Sequence, residues 1–99
     1  MAKLKPLPSA EKLIELEKFH TELTDYEAWL GAQGCGIEEI VVEGVWMIYA
    51  ARVGPEKKIR LIASNGIEDR PLIGIPWHLK LLIWPKLKPQ LKGFTFSSN

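Results

Sequence analysis

IEEIVVEGVWMIYAA, Ile37 to Ala51, is the stretch whose reading decides the fold. Seven consecutive apolar residues, Val45 to Ala51, follow Gly44. Trp46, Ile48 and Tyr49 favour a strand, because branched and aromatic side chains fit a pleated surface. Seven residues is strand length and short for a helix; a buried helical segment is the alternative, since periodicity does not separate the two over so short a run. The run does not alternate between apolar and polar. A strand that is apolar on both sides needs cover on both sides, so Val45–Arg52 reads as a central, sandwiched strand. Ile37–Glu43 is its neighbour, with Glu43-Gly44 at the turn.

Upstream, the pattern is helical. Ser9 is suited to an N-cap, since its hydroxyl can accept an orphan backbone N–H. Leu13, Leu16, Phe19 or His20, Leu23, Tyr26 and Leu30 then recur at spacings of three and four, which makes one apolar stripe. Glu11, Glu15, Lys18 and Glu22 fall mostly off it. Lys18 and Glu22 form the one opposite-charge i,i+4 pair, in the weaker orientation, so packing of the stripe must hold the helix. Thr24-Asp25-Tyr26-Glu27 matches a capping box, which allows a split or bend near Thr24. Gly31 and Gly34 mark the end, and Gly34-Cys35-Gly36 turns the chain into the first strand.

Downstream, Lys58–Ala63 reads as a third strand. Asn65-Gly66 is a hairpin signal, with Ile67–Arg70 returning and Pro71 stopping it. Leu61 then faces Arg70 and Ile62 faces Asp69, a mixed pairing that suits an edge. In Leu72–Gly93, Pro76 could open a helix through Trp77, Leu79, Leu82 and Ile83 that ends at Pro85; an extended segment is the other option. The whole predicts an α+β domain: an N-terminal helix, continuous or else bent or split, on a three- to four-stranded antiparallel sheet. The Trp-rich C-terminal segment, short helix or extended, covers the other face or an edge. Residues 1–8 form a basic, proline-containing lead-in, 9–93 a single domain and 94–99 a tail.

The 99 residues, 46% hydrophobic and 25% charged, are those of an ordinary globular domain. One cysteine excludes an internal disulfide and points to a reducing compartment, so a cytoplasmic location is expected. The first residues contain no apolar core of a secretory signal. No run approaches the roughly 20 apolar residues of a membrane span. Net charge is +1 but unevenly spread. Residues 1–50 hold four lysines against nine acids, and residues 51–99 nine cations against three acids. Such asymmetry marks either a partner surface or two halves that neutralise one another on packing.

No stretch has the specificity of a catalytic or metal motif. His20, His78 and Cys35 lack metal-ligand spacing, and Cys35 follows a helix C-terminus, the wrong end to activate a thiol. Glu38 and Glu39 point to opposite faces of a strand, and no glycine loop is placed to cradle phosphate. Neither a cofactor nor a metal is expected. One constellation stands out: Arg70, Lys80, Lys86, Lys88 and Lys92 are interleaved with Trp77, His78, Trp84, Phe94 and Phe96. A non-enzymatic protein-interaction module follows as the leading expectation: an adaptor, inhibitor or regulatory subunit. Its partner-binding residues are Trp77, His78, Lys80, Trp84, Lys86, Lys88 and Lys92, and self-association is plausible through the same apolar segment. Single-stranded nucleic-acid binding through residues 70–96 is the first alternative, with lysines on phosphates and aromatic rings on bases. An enzyme with residues gathered only by the fold is the second. The plain alternative for the constellation is that both tryptophans are core and the lysines are solvating.

Overall fold

The computed structural model describes residues 7–34 and 37–96. Helix α1 runs Ala10–Gln33 without interruption. Ser9 caps it, with extended backbone and its Oγ accepting the Lys12 amide at 3.3 Å. Gly34 ends it in the left-handed region, φ 71°, where a Cβ would be strained. The capping-box match at Thr24 goes unused, because Leu16, Phe19, Leu23, Tyr26 and Leu30 are all buried and the stripe has no gap to break at. Burial begins one turn later than the stripe itself, since Leu13 is exposed.

The sheet is an antiparallel meander in the order β1-β2-β3-β4. Its strands are β1 (Ile40–Val42), β2 (Trp46–Val53), β3 (Lys58–Ser64) and β4 (Asp69–Pro71). Glu43 and Gly44 both take positive φ, 58° and 68°, at the first turn. Backbone of that hand matches the twist of flanking strands. The hairpin at Asn65-Gly66 forms, but in another register. Ile62 pairs with Pro71, Ala63 with Arg70 and Ser64 with Asp69, a shift of two residues from the expected pairing. The cause is Asn65, whose Oδ1 accepts both the Ile67 amide (2.9 Å) and the Glu68 amide (3.0 Å). That side chain replaces one backbone turn with a four-residue loop. A shift of two leaves every residue on its expected face, and β4 is an edge strand, as the mixed pairing implied.

After a single 3-10 turn, Leu72–Gly74, helix α2 runs Trp77–Leu87. Pro76 is its N-cap rather than its first residue. Pro85, expected to stop the helix, lies inside it. It forfeits one hydrogen bond in the last turn, while Trp84 and Leu87 on either side are buried and hold that turn in place. A second 3-10 turn, Lys88–Gln90, follows.

The expected sandwich does not form. Register puts Ile40, Val42, Trp46, Ile48, Ala50, Ile59, Leu61 and Ala63 on one face. Both helices pack against that face: α1 residues, α2 residues and these strand residues make one core cluster. The C-terminal segment therefore lies beside α1 and does not cover the opposite face. Phe94 and Phe96, assigned to a tail, also pack on this core, with ring centroids 5.6 and 5.9 Å from Tyr26. Cys35, the Gly34-Cys35-Gly36 turn beyond Gly34, residues 1–6 of the lead-in and residues 97–99 lie outside the described residues.

Candidate functional site

The seven partner-binding candidates separate into groups. Trp84 is a core residue, 4% exposed, edge-on to Phe19 at 5.3 Å and to Phe96 at 5.7 Å. Its indole N–H donates to Glu22 Oε1 at 3.0 Å. Lys88 donates to the other oxygen of the same carboxylate and lies 5.0 Å over the Phe96 ring. Lys86 pairs with Glu43, at the turn between β1 and β2. Lys80 Nζ is 3.1 Å from His20 Nε2. An ammonium only donates, so that ring nitrogen accepts and the imidazole is neutral. Burial lowers the pKa of both groups, and the Lys80 charge lowers that of His20 further. Trp77 is half-buried and edge-on to exposed His78 at 5.9 Å. Lys92 is exposed. The segment thus holds α2 against α1 and β1 through its own cations and offers no continuous basic face.

Two carboxylates of α1 do structural work that the sequence analysis missed. Glu22 receives Trp84 and Lys88 from α2. Glu27, 3% exposed, binds β3. Its Oε2 accepts the Leu61 amide at 2.7 Å, and its Oε1 accepts from Arg60 at 3.1 Å. Strand β4 ends at Pro71, so no strand reaches the Leu61 amide on that side. The Glu27 carboxylate takes the vacant rung. Burial raises its pKa, and the bonds from Leu61 and Arg60 offset part of that rise. A signal existed for both residues: Glu22 follows Phe19 by three and Glu27 follows Leu23 by four, the spacing that shares a helix face.

The remaining candidate is the open face of the sheet. Register assigns it Val41, Met47, Ser64 and Asp69 in one row, then Tyr49, Ile62 and Pro71, then Ala51 and Arg60, then Val53 and Lys58. Its β1 and β2 side is apolar. Val41 is 57% exposed and Met47 39%, while Tyr49, Ala51 and Val53 are half-buried. Ile62 is shielded between Tyr49 and Pro71. An antiparallel sheet with one solvated face normally shows polar residues there. The charged groups of this face sit on β3 and β4, Asp69 in one half and Arg60 and Lys58 in the other. Tyr49 donates its hydroxyl proton to Asp69 at 2.9 Å, a bond that raises the Tyr49 pKa and, after the Ser64 bond, lowers that of Asp69.

A groove of about 450 Å³ lies elsewhere, between α1 and residues 94–96, lined by Ile14, Lys18, Asp25 and Phe96 among others. Among the described residues, no three of His, Cys, Asp and Glu gather as a metal would require, and no helix is long and apolar enough to cross a membrane. The fold and this surface define a two-layer α+β domain with one sheet face that the described residues leave uncovered. No family model, no curated protein and no solved structure matches the chain.

Proposed function

We propose that the protein is a non-enzymatic interaction module, an adaptor, inhibitor or regulatory subunit, that binds a protein partner through the open face of its sheet. The observation that carries this reading is the run of Val41, Met47, Tyr49, Ala51 and Val53 on a face that neither helix covers. Exposed apolar surface of this kind marks contact sites in soluble proteins. The interaction surface is thereby moved from the C-terminal segment to the sheet. Nucleic-acid binding through residues 70–96 has less support, because Lys80, Lys86 and Lys88 are engaged by His20, Glu43 and Glu22 and Trp84 has no free ring face.

A photo-crosslinking amino acid placed at Met47 in the native cell tests the reading. Discrete protein adducts are expected from Met47, and none from the same group placed at Glu11 on the solvent side of α1. Equal, diffuse labelling at both positions would rule out a dedicated face.

A further inference from the structure

We propose that the occupant of the open face is a second copy of this chain, docked face to face about a two-fold axis that crosses the strands between Tyr49 and Ala51. The inference rests on the interaction reading above and names its partner. It is carried by the way charge is laid out along the strands. One half of the face holds Asp69, in the row of Val41 and Met47, and Glu39 just before β1, close enough to act on Tyr49. The other half holds Arg60, in the row of Ala51, and Lys58, in the row of Val53. The apolar side chains of β1 and β2 run beside both halves. A surface that is acidic in one half and basic in the other is self-complementary only when a second copy is turned end for end. A two-fold axis across the strands does that. It lays the Lys58 end of each sheet over the Asp69 end of the other, and the two apolar strips of β1 and β2 meet. An axis along the strands would set acid on acid and base on base.

The same layout is isologous, the form that closed homodimers take. Lys58 has a neighbour in Glu56 at 3.0 Å, but both side chains are more than half exposed, and such surface pairs hold little energy. Lys58 is free to exchange partners. Arg60 is less so, because it is bonded to buried Glu27. Lys58 and Asp69 are therefore the pair that reads the docking. Size sets the strength. With strands of three, eight, seven and three residues, about 3.3 Å per residue and about 4.8 Å between strands, the face spans roughly 330 Å² per copy. Two such faces fall below the roughly 1,200 Å² of stable complexes. The dimer is accordingly weak and reversible, with monomer and dimer exchanging in the micromolar range or above.

Sedimentation of the full chain across a concentration series tests this, with Lys58→Glu and Asp69→Lys variants run separately and mixed. The wild type should move from monomer to dimer, with the dimer weakened by added salt. Each charge reversal alone sets like charges together at both symmetric contacts and should raise the dissociation constant by at least about tenfold. Mixed in equal amounts, the two variants should recover a one-to-one heterodimer, because both contacts then join opposite charges. Both positions are exposed, and an unchanged circular dichroism spectrum verifies the fold of each variant. A wild type that stays monomeric to millimolar concentration overturns the proposal. So does a dimer that neither reversal weakens, or a mixture that fails to restore it. The Met47 crosslink distinguishes this failure from failure of the interaction reading. An adduct at twice 11.2 kDa is the second copy, and a discrete adduct of any other mass keeps the interaction face but removes the self-partner.

Discussion

The covered and open faces of the sheet are built from similar residues and treated in opposite ways. On the covered face, the two buried carboxylates of α1 are both paired. Glu22 holds Trp84 and Lys88, and Glu27 holds Leu61 and Arg60. On the open face, apolar side chains lie uncovered on β1 and β2, with acid and base divided between two halves of β3 and β4. On the reading proposed above, stability and interaction therefore occupy separate sides of one four-stranded sheet. Substitutions on the two sides should differ in what they disturb: folding on the first, association on the second.

The largest effect is expected at Trp84. Trp84→Ala removes a buried ring packed on Phe19 and Phe96 and strips Glu22 of a donor. A loss of about 3–5 kcal/mol is expected from the cavity alone. Urea denaturation measures it, and a loss under about 1 kcal/mol would mean that α2 is not part of the folded core. For a domain whose total stability is about 5–15 kcal/mol, the expected change is large enough to populate the unfolded state.

Glu27 comes next, and two variants separate its roles. Glu27→Ala leaves the buried Leu61 amide with no acceptor, which costs about 1–3 kcal/mol. Glu27→Gln keeps an acceptor oxygen at that amide and removes the buried charge, so it should cost less than the alanine variant. The pH dependence follows from the direction of the shift. The folded pKa is raised above 4.5, so the folded state holds the proton more tightly than the unfolded state does. Stability from this group therefore increases as pH falls through the interval between the folded value and 4.5. The glutamine variant should lack that component in a series of thermal melts across the same interval. A wild type and a glutamine variant with identical pH profiles would show that Glu27 is not desolvated by α1 and β3.

These carboxylates also show what the sequence could reveal. The helix, its Ser9 cap and its buried stripe were legible, because a period near 3.6 and a hydroxyl before it are local signals. The strands were legible from composition. The covering of the sheet was not. In β2, Trp46, Ile48 and Ala50 point inward while Met47, Tyr49 and Ala51 point outward, and all six are apolar. An apolar run carries no contrast from which to read which face is covered. The hairpin register was missed because the Asn65 side chain, not its backbone dihedrals, sets the loop length. The partner-binding candidates drew on real neighbours in sequence, but pairing with acids more than forty positions away decides which cations are engaged.

A smaller effect is expected at the contact of α1 with α2. The His20 pKa is lowered below 6.5, first by burial and then by Lys80. The unfolded chain therefore takes up this proton first as pH falls, and stability from the neutral ring is lost as pH drops from 6.5 through the folded value. An NMR titration of the His20 ring should give a midpoint below 6.5. Lys80→Gln should move it only part of the way back, because burial is the larger cause. A full return to 6.5 would make the lysine charge, not packing, the dominant influence at that contact.

The smallest effect on stability sharpens the comparison most. Met47→Lys and Val41→Lys place a charge on the open face, at side chains already 39% and 57% exposed. In the monomer their heads reach water with little rearrangement, so the change in unfolding free energy should stay within about 0.5 kcal/mol. In an associated state the same ammonium groups would be buried without a partner, which is costly. Unfolding measured at low protein concentration, beside sedimentation at high concentration, separates the two. Stability should be unchanged in the first and association abolished in the second. If either lysine instead unfolded the isolated chain, the open face would be part of the monomer's own core, and the division between the two sides of the sheet would not hold.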